Sequence, residues 1–271
     1  MSKLVRGKRK KRKSSDRQGA SLRTISLLKH LAEGEADPTL GQLAQRLDLP
    51  QSTVHRLLQR LLGADLVERG QAQTYRPGRE LFRIASLLTQ KIDFPKVARP
   101  FLQELWAEWG ETSSFCLYKP STRTAIVVDT IRSEHPLQYL IERNAEFPLP
   151  WGALGQSILS HLPGDEIDAV LANAGRGPLS GQPLPSRPKM RAEFERVRQR
   201  GCAIYCDRAL LNLAGVAAPV FGADRAILGC IGVTMPATRF DLDAVDELCN
   251  AVILRGRRLS AVFGGDAKSP G

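Results

Sequence analysis

The stretch whose reading decides the fold runs from Leu49 to Leu61, "LPQSTVHRLLQRL". Val54, Leu57, Leu58 and Leu61 recur at helical spacing and form one apolar edge. The other edge carries Gln51, Ser52, Thr53, His55, Arg56 and Arg60, and no acid follows until Asp65. Such a helix is either the solvated basic face of a small helical core or a surface built to read DNA. Arginine suits guanine edges and phosphates, glutamine suits adenine, and hydroxyls suit phosphate oxygens.

Two amphipathic segments precede it. In "SLRTISLLKHLAEG", Leu22, Ile25, Leu28 and the Leu31/Ala32 pair share a helical face, with Gly34 as a C-terminal cap. "LGQLAQRL" follows, with Thr39 placed to cap it, and Asp48 to Pro50 make a tight connection. Downstream, "GADLVERGQAQTYRPG" reads as a β-hairpin with a Gly/Gln-rich tip, its Arg69 and Arg76 able to reach neighbouring phosphates. Three short helices, a tight turn between the last two, and a hairpin predict a winged helix-turn-helix.

"RELFRIASLLTQKI" continues as a helix whose stripe of Leu81, Ile84, Ala85 and Leu88, flanked by Phe82, suits either a linker pairing with another chain or packing on its own domain. Pro95 and Pro100 mark a boundary. Beyond it the texture becomes α/β. "SSFCLYKP", "TAIVVDTI", "LQYLIE", "CAIYC", "AGVAAPVFG" and "AILGCIGVTMP" are strand candidates, interleaved with helices such as "KMRAEFERVRQRG". The expected fold class is α+β, an N-terminal winged helix-turn-helix, a linker helix and a C-terminal α/β sensor-like domain. The expected domains are 1–17, a disordered basic arm; 18–80, the winged helix-turn-helix; 81–95, the linker or dimerisation helix; 96–265, the sensor domain; and 266–271, a tail.

The charge is concentrated at one end. Of the 39 Lys/Arg that give the 271-residue chain a formal +11, nine lie in the first 17 residues against Asp16 alone. The rest is close to neutral, so overall basicity says little about the folded part. The arm reads as a plain solvated extension, as a source of extra phosphate contacts, or as a nuclear import signal. No apolar run approaches the ~18 residues of a membrane helix, and nothing resembles a signal peptide. Five cysteines, an odd number without metal spacing, suit a reducing compartment. A cytoplasmic protein with no membrane partner is expected.

Catalytic chemistry finds little support. His30, His55, His135 and His161 are scattered, and Cys202 and Cys206 are spaced wrongly for a metal pair. "WGALGQS" lacks both the phosphate-loop lysine and the dinucleotide fingerprint; Gly152 and Gly155 more simply permit a strand-to-helix turn, whose amides could hold an anion. No catalytic residue, metal site or cofactor is expected. The competing class, a metabolic enzyme with an appended helical domain, would need a nucleophile beside a positioned base.

"SLRTISLLKHLAEGEADPTLGQLAQRLDLPQSTVHRLLQRLLGADLVERGQAQTYRPGRELFRI" resembles the N-terminal domain of IclR (isocitrate lyase regulator) family bacterial transcription factors, and "LPWGALGQSILSHLP" and "RQRGCAIYCDRALLNLAGVAAPVFGADRAILGCIGVTMP" are similar to two C-terminal signatures of that family. The resemblance spans roughly residues 20–265. It implies a GAF-like effector domain, a homodimer or homotetramer on a pseudo-palindromic double-stranded DNA operator, a small organic acid as effector, action as a repressor, and a nucleoid-associated place in a bacterial cell, and it argues against nuclear import. The family's effector pocket maps onto Ala153 and Leu154, whose backbone N–H groups could hold a carboxylate, and onto Tyr205, Gly215, Gly232 and Thr234. Many members carry an acid where Tyr205 stands, a cysteine at Gly215, and serines at Gly232 and Thr234. Losing those groups would leave polar atoms of a small oxygenated acid unpaired, at ~1–3 kcal/mol each. A larger, less polar effector is expected, an aromatic acid or related aromatic compound.

Overall fold

The structure, a computed structural model, describes residues 19, 21–32, 34, 36–89, 91–223 and 225–265. The basic arm and the final residues therefore lie outside the described residues. The chain divides into two compact units between Ile92 and Asp93.

The first unit opens with helix α1, residues 21–32. Its buried side is set by Leu27 and Leu31, with Leu28 partly covered, whereas Leu22 and Ile25 face solvent. This corrects the expected face. The segment carries two overlapping apolar stripes, and periodicity alone does not say which one meets the neighbouring helices. Helix α2 (Leu40–Leu47) begins in a capping box: the Thr39 side chain accepts from the Gln42 amide while Gln42 returns to the Thr39 amide. Asp48, in the left-handed region, closes α2, and Pro50 stands just ahead of α3 (Gln51–Leu62). The four apolar residues of the opening stretch are the four that α3 buries.

Strands β1 (Val67–Arg69) and β2 (Tyr75–Pro77) then pair antiparallel, with Arg69 opposite Tyr75. The chain ahead of α2 joins this ribbon through a Thr39–Thr74 bridge and a hydrogen bond from the Tyr75 amide to Pro38 O. Buried Tyr75 and Val67 complete the core of this unit. Helix α4 (Arg79–Thr89) follows; Phe82 and Leu88 are 65% and 63% exposed.

The second unit starts with α5 (Phe94–Trp109). The two prolines that read as a boundary lie inside this helix. Pro95 occupies the first turn, where its missing N–H costs nothing, and Asp93 caps the helix by accepting from the Lys96 amide. Pro100 is interior and costs about 3 kcal/mol. Burying Phe101, Leu102 and Leu105 contributes roughly 5–9 kcal/mol, enough to keep the helix intact.

Six antiparallel strands make one sheet, β3 (Thr112–Lys119), β4 (Thr124–Ile131), β5 (Glu146–Pro148), β6 (Ala203–Asp207), β7 (Leu213–Phe221) and β8 (Ile227–Pro236), in the order β5-β4-β3-β8-β7-β6. Helix α5 and the closing helix α9 (Val245–Val262) cover one face, where Leu105, Val252 and Leu259 meet Phe115 and Ile231. Helices α6 (Gly152–Leu159), α7 (Gly164–Asn173) and α8 (Arg187–Arg200) cover the other, around Ile158, Val170, Phe194 and Cys230. With both faces covered, β7 reads as a nearly unbroken apolar run rather than an alternation. The segment "LQYLIE" is not a strand. It belongs to the loop between β4 and β5, where its side chains find a cavity rather than a neighbouring strand.

Candidate functional site

In the first unit, the polar edge of α3 is open. Gln51, Ser52, His55, Arg56 and Arg60 are exposed and Thr53 is half-buried. Pro50 offers no capping side chain, so the first amides of α3 have no acceptor from that residue's side chain. His55 shares a hydrogen bond with Gln59, at 3.4 Å. On the hairpin, Arg69 is exposed, whereas Arg76 donates to Glu68 at 2.7 Å across the ribbon. That bond uses Nε, so Arg76 can hold Glu68 and still offer its Nη groups to a further acceptor. The exposed arginines, hydroxyls and amides of α3 stand together on one helix edge, with the hairpin fixed to α2 by the Thr39–Thr74 bridge.

In the second unit, a cavity of about 210 Å³ opens between the sheet, the start of α6 and two loops. Its floor is one row of the sheet: Tyr205 on β6 pairs with Gly215 on β7, which pairs with Thr234 on β8. All three line the cavity, as do Ala153 and Leu154. Gly232 does not. It belongs to the row Ala203–Ala217–Gly232, whose alanines pack with Ala153 and Val197. A Cβ there would stand 2.6 Å from Val216 O and 2.9 Å from Ala217 Cβ, so close packing accounts for that glycine.

Two glycines place α6. Gly152 holds φ at +73°, a conformation that turns the chain from Pro148 into the helix, and Gly155 passes so close to Leu149 that a Cβ would lie 2.3 Å from its carbonyl. No side chain caps this helix at Trp151. The amides of Ala153 and Leu154 thus sit in a first turn at the cavity wall, where an anion would complete them.

The lining is otherwise apolar, with Leu140, Ile141, Phe147, Trp151, Leu179 and Leu213 among its members and no charged side chain. Its side-chain polar groups are the hydroxyls of Tyr139, Ser180, Tyr205 and Thr234 and the indole N–H of Trp151. Tyr139 is already engaged, donating to Leu211 O. Burial first, and then the Asp207 carboxylate, push the phenols of Tyr139 and Tyr205 above their ordinary range, so both remain protonated donors at neutral pH.

Sequence reasoning missed Tyr139, Leu140, Ile141 and Leu179. The first three lie in "LQYLIE", whose pattern reads as a strand, Leu179 lies in a loop without periodicity, and Tyr139 reaches an acceptor 72 residues away. Nothing catalytic emerges around the other singled-out residues. All five cysteines are free thiols. His161 donates to Ser157 O and packs edge-on against Phe221, and Glu166 pairs with Arg123. Among the described residues no group of three or more His, Cys, Asp or Glu could hold a metal, and no helix is long and apolar enough to cross a membrane.

Comparison with known proteins agrees with this two-part layout. Residues 22–71 match the IclR helix-turn-helix domain, and residues 87–261 match the bacterial transcriptional regulator IclR C-terminal family. The transcriptional repressor IclR of Escherichia coli K12 is 25% identical over 244 residues, covering 90% of this chain and 89% of its own. The repressor AllR of Klebsiella pneumoniae is 24% identical over 262 residues, 96% of either chain. Among solved structures, Pseudomonas aeruginosa HmgR superposes with a TM-score of 0.72 over 90% of this chain and 98% of its own, at 24% identity, a likeness of fold.

Proposed function

Because the chain belongs to the IclR family of bacterial transcriptional regulators, we propose that it is a ligand-responsive repressor that binds a pseudo-palindromic operator as a homodimer or homotetramer. In this reading α3 enters the major groove. Gln51, Ser52, Thr53, His55, Arg56 and Arg60 face bases and phosphates, and Arg69 and Arg76 reach the flanking backbone. Two copies place their α3 helices about one turn, ~34 Å, or a multiple of it apart. The exposed Phe82 and Leu88 of α4 support a pairing helix, since large apolar groups left in water are covered when chains associate.

The effector occupies the cavity of the second unit. The observation that carries its chemistry is a lining with no charged side chain beside the open first turn of α6. That combination suits a ligand with an apolar body and one anionic end. A fully dry cavity of roughly 150 Å³ can hold benzene, so about 210 Å³ suits a single substituted ring. An aromatic acid would set its carboxylate on the amides of Ala153 and Leu154, its ring over Gly215, and a ring substituent toward Tyr205 or Thr234. Binding alters operator affinity only to the extent that it favours one arrangement of the regulator over another.

Calorimetric titration of the full chain with benzoate and 4-hydroxybenzoate, against glyoxylate and pyruvate, tests this. Tighter binding of the aromatic acids is expected, and tighter binding of the two small acids would overturn the assignment of effector class.

A further inference from the structure

Asp129, on β4, has no solvent exposure at all and is met by two guanidinium groups. Arg99, in the second turn of α5, donates from Nη1 to Oδ1 at 3.0 Å and Oδ2 at 3.2 Å, and also to Thr130 O at 3.3 Å. Arg143, from the loop between β4 and β5, pairs with the same Oδ1. The Thr130 amide reaches that oxygen too, at 2.8 Å. One cation suffices to neutralise a buried carboxylate. Both arginines are about half exposed and could be hydrated instead. The second cation is thus more than charge balance requires, and what distinguishes the two is the element each belongs to.

Arg143 belongs to residues 132–145, the loop that also supplies Tyr139, Leu140 and Ile141 to the cavity wall. The loop is fixed at its start by Ser133, which donates to Gly110 O at 2.6 Å, and near its end by the Asn144 amide on Val127 O at 2.8 Å. Arg99 belongs to the helix that begins at Phe94, shortly after α4 ends at Thr89. Because both guanidinium groups converge on one oxygen, neither shifts without changing the hydrogen bond of the other.

We propose that Asp129 is a positioning residue for regulation: through Arg143 and Arg99 it couples the loop that walls the cavity to α5, the helix that continues the chain from the DNA-binding unit. The proposal rests on the reading of the cavity as the effector site. A ligand pressing on Leu140 and Ile141 moves Arg143, and the shared oxygen passes that displacement to α5 as a changed hold on Arg99. Coupling over a distance requires an element with two arrangements that both ends can bias, and the proposal assigns that part to this cluster.

Hydrogen–deuterium exchange on the full chain tests it without a ligand, comparing wild type with Arg143→Gln and Arg99→Gln. Each variant leaves Asp129 one cation, so the fold should persist. Arg143→Gln should accelerate exchange both in residues 137–145 and in residues 94–101, on the order of threefold, with α9 unchanged. Arg99→Gln should do the same from the other end. Acceleration confined to the substituted residue's own element in both variants, or spread equally into α9, would overturn the coupling. In a second arm, saturating benzoate should slow exchange in both segments of the wild type but only in the loop of Arg143→Gln. Absence of benzoate binding to wild type would count against the aromatic effector, while the ligand-free comparison still decides the link.

Discussion

Replacing Arg56 with alanine should separate operator binding from folding. Arg56 is exposed on α3, and its side chain has no hydrogen-bond or ion-pair partner among the described residues, while the helix is held by Val54, Leu57, Leu58 and Leu61 on the opposite edge. Arginine and alanine differ by a few tenths of a kcal/mol at most in helix preference, in alanine's favour. The substitution should therefore leave the melting temperature within about a degree of wild type. A side chain that contacts a base or phosphate well contributes about 1–3 kcal/mol, and a two-fold complex loses that contact twice. Operator affinity should fall by about 2–6 kcal/mol, roughly 30-fold to 10⁴-fold. Fluorescence anisotropy on a duplex selected from a random library, at fixed salt, reads the loss, and a thermal melt reads stability. Arg191→Ala is the internal control: it removes an exposed ion pair with Asp168 in the second unit, where 0–1 kcal/mol of stability is at stake. Unchanged operator affinity in Arg56→Ala, or a clearly lowered melting temperature, would refute the assignment of α3's open edge to the groove.

Three further outcomes are expected. Leu58→Ala, at a fully buried position between the helices of the first unit, should cost about 2–5 kcal/mol and unfold that unit before the second, visible as a split transition in calorimetry. Burial holds the His161 imidazole below its ordinary value of 6.5, so the unfolded chain takes up this proton first as pH falls. Stability should then be complete above pH 6.5 and decline below it, and His161→Gln should flatten that part of the profile; superimposable denaturant midpoints across pH would refute this. Deleting residues 2–13, which carry much of the formal charge, should weaken binding to every duplex alike and flatten the dependence of log affinity on log salt; an unchanged slope would show that the arm makes no phosphate contact.

The first unit was legible because each local signal had one geometric solution. Val54, Leu57, Leu58 and Leu61 specify the buried edge of α3, and the Thr39/Gln42 pair announces where α2 begins. Helix α1 was less so: it carries apolar residues on two faces, and the choice of Leu27 and Leu31 over Leu22 and Ile25 is made by the helices it packs against. Pro100 misled for a related reason, because local backbone chemistry argues against a helix that tertiary burial then stabilises. Of the strand positions that the family resemblance aligns, Tyr205, Gly215 and Thr234 line the cavity floor, whereas Gly232 falls in the neighbouring row. The cavity walls were not legible: Tyr139 and Leu179 come from loops whose positions depend on contacts far away in sequence.

In the proposed reading, the cross-strand row Tyr205–Gly215–Thr234 meets the ligand while the row beside it carries the scaffold. The neighbouring row Ala203–Ala217–Gly232 is closed by small side chains in tight contact and tolerates little. On that reading ligand preference would be redirected through Tyr205 and Thr234 rather than Gly215, where a Cβ would stand 2.8 Å from Val233 O, while the scaffold two residues away stays constant. A saturation library at Tyr205 and Thr234 is thus a compact route to sensors for other ring-bearing compounds.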